Sequence, residues 1–111
     1  MGAANSVTLD SSGEVTVASS RVAIDTHGSA GSDDCLKIHP NGITSQGDII
    51  VCSTAHSSRD ITFKDASISG GSVTGNLLLA GDFTADSNQD VLVLMCDGYG
   101  HWLEISRNNN Q

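Results

Sequence analysis

Asp86-Ser87-Asn88-Gln89-Asp90 sets oxygen-bearing side chains at alternate positions, as the start of a calcium loop does, and Asp97 falls at the twelfth position of such a loop. The sixth position is Val91, where the sharp turn calls for glycine, and the VLVLM that follows is strand-like. A polar turn between strands accounts for the same residues. Cys35 and His39 have the spacing of a zinc-binding pair, with Asp33 and Asp34 beside them, and Cys52 and His56 repeat it. A closed structural zinc site takes four ligands; the plainer expectation puts both cysteines against a core and both histidines in turns. Serines, histidines and aspartates are plentiful, but no G-x-S-x-G elbow is present. GGSVTG lacks the Lys and Ser/Thr that complete a phosphate loop, and reads as a Gly-rich bend. Paired carboxylates of a glycosidase are recognised by their separation. Asp65, Asp82, Asp90 and Asp97 stand instead at strand ends and turns, where Asp bonds its own backbone and blunts sheet edges. The expectation is no enzyme, with no catalytic residue, no metal and no cofactor.

Bulk properties narrow the partners. The 111 residues fit one domain, and Phe63, Phe83, Tyr99 and Trp102 are its whole aromatic supply, 4% of the chain. The core is left to Val, Ile, Leu and Ala, and oligomerisation is one way to widen so small a margin. Thirteen acids against five bases give a formal net charge of -8, and the bases (Arg21, Lys37, Arg59, Lys64, Arg107) are scattered. Nucleic acid, which needs clustered cations, is not an expected partner. Cys35, Cys52 and Cys96 are an odd count without paired spacing, so buried reduced thiols are expected. MGAANSVTLD has neither the charged nor the apolar region of a secretion signal, and no apolar run nears the ~20 residues of a membrane helix. MGAANS fits the myristoylation pattern at Gly2 and Ser6, a match short patterns reach by chance.

No segment holds a helical period for three turns. Ser, Thr, Asp, Asn and Gly are spread throughout, and they favour turns over helix interiors. Apolar residues come in short runs. Val7 and Leu9, then Val15 and Val17, flank Asp10-Ser11-Ser12-Gly13 and predict a hairpin. RVAID puts Val22 and Ile24 on one face; Leu36 and Ile38 precede a Pro40-Asn41-Gly42 turn and Ile43. DIIVCS and DVLVLMC are continuous runs suited to strands buried on both faces. Between them lie Ile61 to Phe63, a lone Ile68, a Gly-rich corner at SISGGSVTG with Val73, and LLLAGDF from Leu77. Turn signals every ~8–12 residues predict an all-β single domain, a sandwich or a β-roll or β-helix-like stack. A faint echo, SRDITFKD with AGDFTAD and DIIVCS with DVLVLMC, suggests rungs in which each strand lies over a similar one.

The ending, GNLLLAGDFTADSNQDVLVLMCDGYGHWLEISRNNN, resembles a C-terminal module of bacteriophage structural proteins, tail fibres and other virion appendages. The matching residues are Gly75, Asn76, Leu77 to Leu79, Ala80 to Phe83, Asp90 to Leu94, Asp97, Gly98, Trp102, Glu104, Ser106 and Arg107, with SSRDITFKD similar to the rung that leads in. Met95-Cys96 and Gly100-His101 depart from the pattern without disturbing the alternation. Trp102 and Glu104 should share one face of the last strand, Leu103 and Ile105 the other.

The resemblance implies a non-enzymatic virion protein working as a homotrimer. Size favours a capsid decoration, or cement, protein bound to the major capsid protein on the shell; the alternative is a tail-fibre or spike module meeting a host-cell receptor. Residues 1–47 would hold N-terminal strands and a capsid-anchoring part, and 48–111 the phage-type module. Core or subunit contacts are expected at Phe63, Leu77, Leu79, Phe83, Val91, Val93, Trp102 and Ile105. Neither nucleic acid nor membrane is an expected partner.

Overall fold

Residues that alternate apolar with polar, broken by Gly, Asp and Ser, become short strands because the side-chain period of an extended chain is two. The computed structural model describes residues 5–41, 46–66 and 75–109. The myristoylation pattern at Gly2, the Gly42-Ile43 part of the turn, and Ile68, Val73 and most of the Gly-rich corner lie outside them. The described residues form β1 (Asn5–Thr8), β2 (Glu14–Val17), β3 (Arg21–Asp25), β4 (Ser32–Cys35), β5 (Lys37–Pro40), β6 (Ile49–Thr54), β7 (Asp60–Phe63), β8 (Leu77–Leu78), β9 (Phe83–Ala85), β10 (Val91–Cys96) and β11 (Trp102–Asn108). One short 3-10 turn, His27–Ser29, sits between β3 and β4. The protein is all-β.

The strands stack in a coil. β1, β3 and β6 lie side by side in parallel, with Val7 beside Ile24 and Val22 beside Cys52. β2 and β5 pair in parallel on a second face, and β4 and β7 on a third. The chain thus climbs by visiting each face in turn, which is the β-helix-like alternative and not a sandwich. The expected β1–β2 hairpin does not form. Asp10 to Gly13 turns the chain onto another face, and each strand finds its partner one rung away. The chemistry is nonetheless that of a turn: the Asp10 carboxylate accepts the Ser12 and Glu14 N–H groups at 2.8 and 3.1 Å.

After the third rung the direction reverses. β9 runs antiparallel to β7 and β10 antiparallel to β6, and β11 folds back on β10. The echoed segments do lie over one another, Phe63 on Phe83 and Val51 on Val93, but head to tail. β3 and β6 share one sheet, so the N-terminal and C-terminal halves form a continuous structure.

The core is a set of inward columns. Val22, Cys52 and Leu92 line one face, and Cys35, Phe63 and Phe83 another. The two Phe rings stack with centroids 6.3 Å apart. Polar corners are tied internally: buried Thr26 donates its hydroxyl to the Ala30 carbonyl, and buried Thr54 to that of Arg59, both at 2.6 Å. Polar side-chain contacts link successive rungs. His39 meets Glu14 at 2.5 Å, and Arg59 meets Asp25 at 3.0 Å with His56 3.4 Å from the same carboxylate. The Asp25 carboxyl is pushed up by burial, but the Arg59 and Thr26 hydrogen bonds outweigh this and hold it below its ordinary value.

Candidate functional site

The metal candidates come apart in space. Cys35 and Cys52 are buried in the core, whereas His39 and His56 lie on the surface beside Glu14 and Asp25. Burial pushes the Cys52 thiol up to about 12, and burial with nearby Cys52 and Asp33 pushes Cys35 well up too. Neither thiol is poised as a thiolate ligand or nucleophile. Asp86 and Asp97 stand at opposite ends of β10, whose six residues span roughly 20 Å. The Asp86–Asp90 segment is a turn: the Asp90 carboxylate accepts the Asp86 N–H at 3.1 Å, and Asp90 N–H donates to the Ser87 carbonyl at 3.0 Å. Among the described residues no three His, Cys, Asp or Glu side chains converge on a point, and no pocket is formed. No helix of the described residues is long and apolar enough to cross a membrane.

The residues of the C-terminal resemblance do converge, and they close the coil. Gly75, at φ +93°, passes so close to β5 that a Cβ there would lie 3.2 Å from the Ile38 carbonyl oxygen. Its own carbonyl accepts the Ile38 N–H at 2.9 Å, and the Asn76 carbonyl accepts the Trp102 N–H at 2.9 Å. Trp102 is fully buried, and its indole N–H donates to the Ile38 carbonyl at 2.9 Å. Glu104 accepts the Ala80 N–H at 3.0 Å and two hydrogen bonds from Arg107, each 2.8 Å. The Arg107 guanidinium lies 5.2 Å over the Phe83 ring and donates to the Gly81 and Asp82 carbonyls. Asp82 accepts the Asp65 N–H and pairs with Lys64, both at 2.8 Å. Asp97 gathers the Tyr99 and His101 N–H groups at 2.7 and 3.1 Å and the His101 ring at 2.8 Å. Each side chain named here holds backbone or a neighbour in place.

That closure has a pH signature. The Arg107 hydrogen bonds hold the Glu104 carboxyl below its usual 4.5, against a smaller upward push from burial. A carboxyl lowered in the folded state stabilises it above the unfolded value, and that stability is lost as pH falls through the folded value. Glu104→Gln is expected to cost about 1–3 kcal/mol at pH 7. Urea titrations should show the gap between wild type and variant narrowing as pH falls below the reference carboxyl value; a gap constant across pH would remove the ion pair from the account.

Of the residues expected in the core or at subunit contacts, Phe63, Leu77, Leu79, Phe83 and Trp102 are in the core. Val91 and Val93 are half-buried on the outward side of β10, opposite the buried Leu92 and Leu94. Ile105 is 53% exposed, because a bulge between Val93 and Leu94 in the β10–β11 ladder leaves it without an opposite residue. The continuous runs are therefore not enclosed on both sides. β6 and β10 bury alternate residues, and their other aliphatic side chains form a surface that the sequence reading missed as such. Its signal was present in the apolar residues at both parities of IIVC and VLVLM.

Comparison with known proteins finds no matching family model, no similar curated protein and no similar solved structure.

Proposed function

We propose that the chain is a structural protein of a bacteriophage virion, a non-catalytic β-coil that assembles as a homotrimer. The role it fits is that of a capsid decoration protein held on the major capsid protein, where many weak contacts between subunits resist internal pressure. The observation that carries the reading is the fate of the phage-like residues. Gly75, Asn76, Ala80 to Phe83, Trp102, Glu104 and Arg107 all serve to close the coil, so the resemblance rests on a shared way of finishing a β-stack.

One feature favours a second location, the tail fibre or spike. β1, β2 and β4 lie at one edge of their sheets and β8, β5 and β9 at the other, the early strands pairing in parallel and the later ones mostly antiparallel. A stack so polarised suits the end of an appendage. Against receptor binding stands the scarcity of surface rings: of the four aromatic side chains only Tyr99, 82% exposed, faces solvent.

Antibody raised to the folded protein and applied to intact virions separates these. Label over the shell is the expected result, label at the tail tip moves the protein to the appendage, and purified virions lacking the polypeptide overturn both.

A further inference from the structure

The link between β8 and β9, residues 79–82, is held unlike the rest of the coil. Among the described residues it makes no backbone-to-backbone hydrogen bond, and charged side chains grip it instead. The Leu79 N–H goes to the Asp65 carboxylate and the Ala80 N–H to that of Glu104, both at 3.0 Å. Arg107 donates to the Gly81 and Asp82 carbonyls at 2.7 and 3.2 Å. The Asp82 carboxylate in turn takes the Asp65 N–H and pairs with Lys64, both at 2.8 Å. Ala80 and Asp82 are exposed, so water reaches the grip. Leu79 at the start of the link and Phe83 just past its end are buried, and Phe83 stacks on Phe63 of the neighbouring strand.

We propose that residues 79–82 are a strap that acid releases. As the carboxylates that grip it take up protons, the link lifts while the parallel rungs stay folded, and Leu79 and the Phe63–Phe83 pair are uncovered. The charged groups that meet at the strap are Asp34 on β4, Lys64 and Asp65 after β7, Glu104 and Arg107 on β11, and its own Asp82. Asp65 stands near enough to Glu104 and Asp82 to work against both, so the grip depends on the two cations. Arg107 holds the Glu104 carboxyl below its ordinary value, and Lys64 does the same for Asp82. Contacts of this kind are intact above the ordinary carboxyl value and fail as pH falls through the lowered one. A neutral carboxyl offers Arg107, Lys64 and the strap's N–H groups only a weaker acceptor. The rungs are bound differently. β1, β3 and β6, β2 and β5, and β4 and β7 pair through backbone ladders, which do not titrate. The lowered carboxyls of Asp25 and Asp97 take N–H groups of turns beside such ladders. Only the strap has charged side chains in place of a ladder among the described residues it touches.

Amide hydrogen exchange of the full chain, read by NMR as protection factors, tests this while pH is lowered from about 6 through the ordinary carboxyl range. The expected result is that Leu79 and Ala80 lose protection by ~10-fold or more, the equivalent of one hydrogen bond to a charged group. Val22 and Ile24, in the ladder of the rungs, should remain the more protected at every pH. Four amides equally protected throughout would mean that the strap opens only with the whole molecule. Protection at Leu79 and Ala80 that ignores pH would take the carboxylates out of the mechanism. Either result overturns the proposal. In Glu104→Gln at neutral pH, Ala80 should already exchange at least ~10-fold faster than in the wild type and faster than Val22 and Ile24 of the same variant. Unchanged protection of Ala80 in that variant overturns it as well.

Discussion

Replacing Trp102 with alanine is expected to destabilise the protein by about 3–5 kcal/mol, the range for truncating a fully buried large aromatic side chain. The ring is wholly inside the core, and the strand that carries it is held at the same residue by the Asn76 carbonyl. Removing the ring takes away both apolar contact and the donor that meets the Ile38 carbonyl. Trp102→Phe separates the two contributions. It keeps most of the ring but removes the indole donor, at a cost of about 1–3 kcal/mol. Equilibrium denaturation in urea measures both variants. Equal losses for Ala and Phe would place the whole effect in the hydrogen bond, and no loss for either would contradict the burial.

The second large effect is expected at Gly13. It has φ +76°, and a Cβ there would lie 2.7 Å from the Asp34 backbone oxygen. Its carbonyl also accepts the Leu36 N–H at 2.7 Å, so this residue fixes the β1–β2 corner against the next rung. A side chain meets left-handed backbone and a rigid carbonyl together. Gly13→Ala should therefore cost about 2–4 kcal/mol, above the ~1 kcal/mol of an unfavourable helix glycine. Gly28 gives the comparison: its φ is +63°, but nothing lies within 4 Å of its would-be Cβ. Gly28→Ala should lose only the conformational part. If the two alanine variants melt together, the close approach at Gly13 carries no weight.

The alternation of Val22 with Ile24 and of Ile61 with Phe63 was legible because a strand with one buried side must repeat every second residue. The route of the coil was not. Asp10 and Gly13 offer the same turn chemistry whether the next strand returns alongside the last or departs to another face, and only pairing with β3 and β5 decides between them. Val91, Val93 and Met95 were read as buried because apolar residues at both parities ordinarily mean cover on both sides. In this chain the second cover is not supplied by the chain's own described strands, and those residues became the outward face. Trp102 was legible as a core or contact residue. Its bond to Ile38 was not, since it joins positions far apart in sequence. Glu104 and Arg107 were visible as parts of a motif, but not that they would grip Ala80, Gly81 and Asp82.

The three cysteines are spread along the coil. Cys35 lies in the middle rung, Cys52 in the next and Cys96 in the closing hairpin, each sealed from solvent. A sulfur so walled in meets an alkylating reagent only when its own layer opens. The protein therefore carries three internal reporters, and the order in which they become labelled records where unravelling begins.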